Sequence, residues 1–356
     1  MQKRPWRIRA VAAALAATAA AAPITACSTS AAGATSCAGV EIDAGIVSSL
    51  SDAILYIADG KGYFADEGME VNLRSFKSAG EMIPYLAAGH LDVGAGAPSA
   101  GFYNGIARDI DIKIVADKGK LVTDHNYMPL LVRKDLVESG RVKTPADLAG
   151  LEVAEPAPGT ATASTLGSVL AAHGLGYNDV GHTFLGFADH VAAFQNGSID
   201  AAMTTEPAAT SALRAGSAVK LADSTEVYND QQLAVLLYSG DFIGEQGAAA
   251  QCFMNAYVRA ARDYSAAVAG GSWDGPGADE IVGIVSAGTG LDPAIIVKTV
   301  PGYVDPDAVP NTRSLQRDYE FFADQGLYRG DTAVDFGSLV DTSFADKAAQ
   351  TVPKGQ

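Results

Sequence analysis

From Val40 to Tyr238 two kinds of segment alternate along the chain, and that alternation limits its fold more than any other feature. Short apolar runs of strand character are followed by stretches of helical pattern that end on glycine. Val40–Val47, Glu70–Phe76, Leu91–Ala95, Ile112–Ala116, Leu130–Arg133, Leu151–Ala154, Ile199–Met203 and Leu233–Tyr238 read as strands. Ala53–Asp59, Ser78–Ala88, a segment from Gly159 to His173 and one near Val191–Asn196 read as helices. Strands that alternate with helices build a mostly parallel sheet, so the expected class is α/β. After Tyr238 the pattern turns helical. Cys252–Val268 reads as one helix, and Asn311 caps another that carries Leu315, Tyr319 and Phe322 on one face.

Two stretches echo each other. Gly89-His90-Leu91-Asp92-Val93-Gly94 is followed by Pro98, and Gly197-Ser198-Ile199-Asp200-Ala201-Ala202 by Pro207. Each reads as a helix stop, a buried strand and a loop at the strand's carboxyl end. Two lobes built alike produce this pattern, and so does chance similarity of two βα units. Open α/β sheets bind ligands beyond such carboxyl ends.

The amino terminus has a different character. Lys3, Arg4, Arg7 and Arg9 form a basic head, and Val11–Ala22 is an unbroken run of small apolar residues. A basic head, a short apolar run and small residues at a cut make a secretory signal. The run is shorter than the roughly 20 residues a membrane span needs. Ile24-Thr25-Ala26-Cys27 resembles the bacterial lipobox, in which the cysteine carries the lipid; an ordinary signal with an incidental Cys27 is the alternative. Ser28–Ser36 has neither apolar period nor charge and reads as a flexible tether spanning roughly 15–18 Å.

Removing the four basic residues of the head leaves 21 basic against 41 acidic residues, a balance near −20. Such a surface repels nucleic acid and anionic lipid. With Cys27 lipidated, Cys37 and Cys252 remain in an oxidising compartment, either as a disulfide or as two separate buried thiols.

Motifs for chemistry mostly fail. Gly94-Ala95-Gly96 begins a dinucleotide fingerprint, but Ser99 stands where its third glycine belongs. No phosphate-binding G-x-x-x-x-G-K-[ST] exists. Ala97-Pro98-Ser99-Ala100-Gly101 is one glycine short of a hydrolase elbow, and the last histidine, His190, stands too early for such a triad. The five histidines share no metal-ligand spacing, so no metal and no cofactor is expected.

What remains is a set of small polar loops that open helices: Ser48-Ser49-Leu50-Ser51-Asp52, Lys77-Ser78-Ala79-Gly80, Ala97-Pro98-Ser99 and Gly159-Thr160-Ala161-Thr162. Helix starts present free N–H groups and a positive dipole end, so they hold small anions without many cations. Plain helix capping accounts for them equally. No arginine sits in these loops to clamp a carboxylate or sulfonate. Tyr56, Tyr103 and Phe187 offer either an aromatic slot or core packing.

Four segments together resemble one family. They are Gly62–Val71 (GYFADEGMEV), Ala87–Gly96 (AAGHLDVGAG), Lys143–Gly150 (KTPADLAG) and Asn196–Pro207 (NGSIDAAMTTEP). They look like elements of the nitrate/taurine/sulfonate-type substrate-binding proteins of ABC importers, in the thiamine-pyrimidine-precursor-binding-like superfamily. The resemblance runs from about Val40 to Phe344. It implies a type II periplasmic-binding-protein fold, two α/β lobes joined by a two-crossing hinge near 125–130 and 226–232. The expected division is a signal peptide at 1–26, a tether at 27–38, lobe 1 at 39–128 plus 229–356, and lobe 2 at 129–228.

The resemblance places ligand contacts at Ser49 and Ser51, at Lys77 and Ser78, at Ser99, at Thr160 to Thr162 and at Glu206. Asp52 and Pro98 join this candidate set from the loops themselves, and Phe187 joins it as a candidate for the aromatic slot. The implied role is a monomeric, non-enzymatic solute carrier, held outside the cell membrane by Cys27, that delivers its cargo to a permease and its ATPase. The expected cargo is a small organic anion such as a sulfonate, taurine or an aromatic carboxylate. A neutral heterocycle, such as a thiamine pyrimidine precursor or riboflavin, is the second candidate. An exported enzyme on the same scaffold and a surface adhesin are further alternatives.

Overall fold

The computed structural model describes residues 37–76 and 78–353. The basic head, Cys27, the tether and Lys77 lie outside them. Among the described residues the strands are β1 (Val40–Ile46), β2 (Met69–Ser75), β3 (Val93–Gly96), β4 (Ile112–Leu121), β5 (Leu130–Arg133), β6 (Glu152–Glu155), β7 (Gly181–Phe184), β8 (Ala201–Met203), β9 (Ala218–Ala222) and β10 (Gln231–Ser239). They form two five-stranded sheets, in the orders β2-β1-β3-β10-β4 and β7-β6-β8-β5-β9. In each sheet four strands run in one direction and one, β10 or β5, lies antiparallel between two of them. Each sheet is the centre of one α/β lobe.

Both faces of each sheet are covered, as parallel strands require. Ile42, Ala44 and Ile46 of β1 pack with Phe253, Tyr257 and Ala261 of the long helix Gly240–Ala267. The opposite face of that sheet packs Val235 and Leu237 against Met82, Tyr103 and Phe322. In the second sheet Val153 and Met203 meet Leu166 and Leu170, while Ala154 and Ala202 meet Phe194 and Ala212.

The echo in the sequence is a structural repeat. Asp92, just before β3, accepts a bond from the Asp43 amide on Oδ2 and donates its own amide to the Asp43 carbonyl, at 2.9 and 3.0 Å. Asp200, just before β8, does the same with Glu152, at 3.1 and 2.8 Å. Each carboxylate thus stitches one strand to the parallel strand beside it. Gly89 and Gly197, past the ends of their helices, have φ of +65° and +73°, the left-handed values that glycine adopts without a Cβ penalty.

The chain passes between the sheets through residues 122–129 and 223–230. These crossings are bonded to each other. The Ser224 hydroxyl donates to Asn126 Oδ1 and to the Met128 carbonyl at 2.8 and 2.7 Å, and Asn126 also bonds Asp223. Helix Thr312–Asp324 bridges the two lobes beside them. Its Asp318 accepts from Ser164 of the second lobe at 2.7 Å, from Tyr228 in a crossing at 2.8 Å and from Gln231 of β10 at 3.2 Å. A disulfide joins Cys37, ahead of β1, to Cys252 in the long helix. No helix among the described residues is long and apolar enough to cross a membrane.

Burial pushes the Asp318 carboxyl up to about 6, although its three donors pull the other way. The same holds for Asp117 of β4. An unfolded aspartate titrates near 3.9. Each group therefore stabilises the fold fully below about pH 4, and that contribution is lost as pH rises through about 6. Asp318→Asn keeps the three bonds to Oδ1 and removes the titration. In urea unfolding from pH 4 to pH 7, the stability of this variant relative to the native chain should rise with pH and level off above 6. A difference that does not vary with pH would contradict the assignment.

Candidate functional site

The small polar loops follow the carboxyl ends of β1, β2 and β3 in the first lobe and of β6 in the second, and Glu206 follows β8. One contact joins the two sets directly: the Ala100 amide, first in helix Ala100–Ile106, donates to the Gly159 carbonyl at 2.8 Å. A Cβ on Gly159 would lie 2.8 Å from the Ala100 Cβ, and its φ is +64°, so glycine is required there.

The loop after β1 is the most developed. Ser49 begins the short helical turn Leu50–Asp52, and its Oγ accepts from the Ser51 amide. Asp52 is fully buried, and its Oδ2 accepts from the Val47 and Ser49 amides at 3.2 and 2.9 Å. Its Oδ1 faces the ammonium of Lys118 at 2.9 Å. That ammonium also donates to Ser51 Oγ at 2.7 Å, and Ser51 Oγ lies 2.9 Å from Ser49 Oγ. Lys118 is 1% exposed, a buried cation that the sequence reading did not single out.

Backbone register explains how a lysine comes to point there. Val235 of β10 pairs with Asp117 and Ala234 with Gly119, so Lys118 is an extra residue in β4. Such a bulge bends the strand and re-aims its side chain. Tyr56, one turn into the helix Ala53–Gly60, is buried with its ring against Gly288; burial and Asp52 push its hydroxyl up to about 12.

The other helix starts differ in how fully they are satisfied. Ser99 Oγ accepts from the Phe102 amide at 3.3 Å, and Pro98 beside it is buried. With Ala100 bonded to Gly159, that start is largely spent on structure. Ser78 is exposed and Thr160 half-buried, and neither makes a side-chain cap on its helix, Ala79–Ala87 or Ala161–Ala172. Thr160 instead donates to the Ala157 carbonyl at 3.3 Å. Thr162 is buried against the Met128 sulfur at 3.7 Å. Neither the Ser78 nor the Thr160 side chain, then, satisfies the first free amides of its helix.

Glu206, after β8, faces the other lobe. Its carboxylate accepts from the Val300 amide at 3.2 Å and from the Thr210 hydroxyl and amide at 2.9 and 3.0 Å, while burial pushes its titration upward. Phe187 is half-buried and stands edge-on to His190 at 5.5 Å. Tyr103 is a core residue, its hydroxyl bonded to the Leu315 carbonyl at 3.3 Å. Three buried polar atoms of the second lobe have no hydrogen-bond partner: Glu155 Oε2 at the end of β6, Thr204 Oγ1 after β8, and His190 Nδ1. Burial holds His190 below its ordinary range, and the Glu155 carboxylate holds His182 above it.

Elsewhere a surface depression is lined by Gly39, Glu41, Ala65, Gly68, Met69 and Glu70. It lies at the amino ends of β1 and β2, the opposite end from these loops.

A model of the NMT1-like family matches residues 39–269. No curated protein sequence matches the chain. Among solved structures, it is similar to the alkanesulfonate-binding protein SsuA of Xanthomonas axonopodis pv. citri, bound to MOPS, with 19% identity over 85% of this chain and 97% of that one and a TM-score of 0.64. It is similar to the periplasmic nitrate-binding protein NrtA of Synechocystis PCC 6803, with 16% identity over 87% of this chain and 88% of that one and a TM-score of 0.73. It is also similar to the desulfurization enzyme DSZB, with 15% identity over 87% of this chain and 99% of that one and a TM-score of 0.59.

The buried Lys118–Asp52 pair makes a prediction about stability. Lys118→Met alone strands a buried carboxylate and should cost about 3–5 kcal/mol. Adding Asp52→Asn removes the stranded charge and should restore most of that loss. Equal destabilisation of the single and double variants in urea titrations would contradict the pairing.

Proposed function

Because the chain belongs to the NMT1-like family, we propose that it is the extracytoplasmic solute-binding component of an ABC importer. The fold it shares with nitrate- and alkanesulfonate-binding proteins supports this reading. The observation that carries it is the meeting of the two lobes at their loop edges, where the Ala100 amide bonds the Gly159 carbonyl at 2.8 Å. A solute held there touches both lobes and fastens them together. The proposed cargo is a small organic anion of the sulfonate, taurine or aromatic carboxylate class. The uncapped starts at Ser78 and Thr160 offer it amide donors. Cys27 anchors the carrier by lipid, which raises its concentration beside the permease that receives the cargo.

A second cargo reading has its own support. Asp52 cancels the charge of Lys118, and the loops contain no arginine, so the described cleft residues favour a neutral heterocycle as readily as a full anion. The role itself is read as non-enzymatic although DSZB shares the scaffold. The acids whose titration burial pushes up to about 6, Asp117 and Asp318, are held by Gln232 and Gly119 and by Ser164, Tyr228 and Gln231. Neither is free to transfer a proton to a substrate.

Thermal melting of residues 37–356, which keep the Cys37–Cys252 disulfide, against MOPS, taurine, nitrate, benzoate, thiamine pyrimidines and flavins tests the proposal. A ligand at 100 times its Kd adds about 2.7 kcal/mol of stability. The expected result is a clear upward shift with one chemical class. Flat melts across the panel, with protein verified free of ligand, would count against solute capture.

A further inference from the structure

We propose that Lys118 is a positioning residue that sets which way the Ser49 hydroxyl points, and so makes the first lobe a reader of acceptor atoms on the solute. The inference rests on the solute-binding reading above and adds to it the polarity of one contact.

The argument follows the protons. An ammonium has donors only, so Lys118 Nζ donates to Ser51 Oγ across their 2.7 Å contact. A hydroxyl that accepts from a cation becomes a stronger donor and a weaker acceptor. Ser51 therefore gives its own proton to Ser49 Oγ, 2.9 Å away. Ser49 Oγ already accepts from the Ser51 amide at 3.3 Å. Both lone pairs of Ser49 are then occupied, and among the described residues its own proton makes no further hydrogen bond. Ser49 is half-buried at the carboxyl end of β1, on the loop edge that meets the second lobe.

Asp52 fixes the other end of this relay. It holds the ammonium at 2.9 Å and ties down the Val47 and Ser49 amides, so backbone and cation move together. The result is a hydroxyl that can only donate outward. It suits a sulfonate, carboxylate or ring-carbonyl oxygen and rejects an amine or amide N–H, which would meet a donor.

Neutron diffraction from deuterium-exchanged crystals of the mature chain tests the proton order without any ligand. The expected map shows a deuteron of Lys118 toward Ser51, that of Ser51 toward Ser49, and that of Ser49 directed out of the loop. A Ser49 deuteron directed at Ser51 would overturn the proposal.

Titration calorimetry with the tightest-binding panel compound tests the consequence. Ser49→Ala should weaken binding about tenfold, and so should Ser51→Ala, which breaks the relay and leaves the buried ion pair intact. In the Asp52→Asn/Lys118→Met background Ser49→Ala should cost no more than about twofold, because the hydroxyl is no longer driven outward. Equal costs in both backgrounds would reduce Lys118 to a structural cation and end the proposal. If the neutron map shows the expected order and no panel compound binds, the solute-binding reading fails, and the role of Ser49 as a ligand donor fails with it.

Discussion

The architecture depends on one inserted strand. β10 enters antiparallel between β3 and β4 only after the chain has left the first sheet, built the second and returned. Every residue of β10 is buried. Without it β3 and β4 would share no hydrogen bonds, and the first sheet would open along its middle. Because β10 must come back, two crossings connect the lobes, and the bonds between Ser224, Asn126 and Met128 hold those crossings side by side. The second sheet uses its own antiparallel strand, β5, in the same place. The repeat of Asp92 and Asp200, each stitched to the strand beside it, is the local mark of that shared plan.

The alternation of strand and helix was legible because glycines and apolar runs are local signals. What needs distant partners was not. The pattern ends the fourth strand at Ala116, where the apolar run gives way to Asp117-Lys118-Gly119-Lys120. In the structure β4 continues to Leu121, and these charges are buried because their partners, Asp52, Gln232 and Asp305, arrive from elsewhere in the chain. β7 and β9 escaped notice as short strands at the edges of their sheet, with little buried alternation to betray them. The long helix begins at Gly240 and not at Cys252; the chain bends at Gln246 and goes on.

The candidate site was legible in outline and not in rank. All four helix-start loops were visible from hydroxyls and small residues. Which of them are spent on capping required coordinates. Ser99 uses its oxygen on its own helix, whereas Ser78 and Thr160 do not. Glu206, read as a ligand contact, has its carboxylate engaged by Val300 and Thr210 in this conformation. Lys118 was out of reach for a specific reason: a bulge, set by pairing with β10, decides where it points.

At the centre of the account stands one solute bound between loops of both lobes. Hydrogen exchange of residues 37–356, with and without a saturating compound identified by melting, tests this most directly. The account predicts slowed exchange in the segments 49–53 and 160–165 together, since one ligand must engage both lobes. Protection confined to one lobe, or centred on the depression around Glu41 and Glu70, would contradict it.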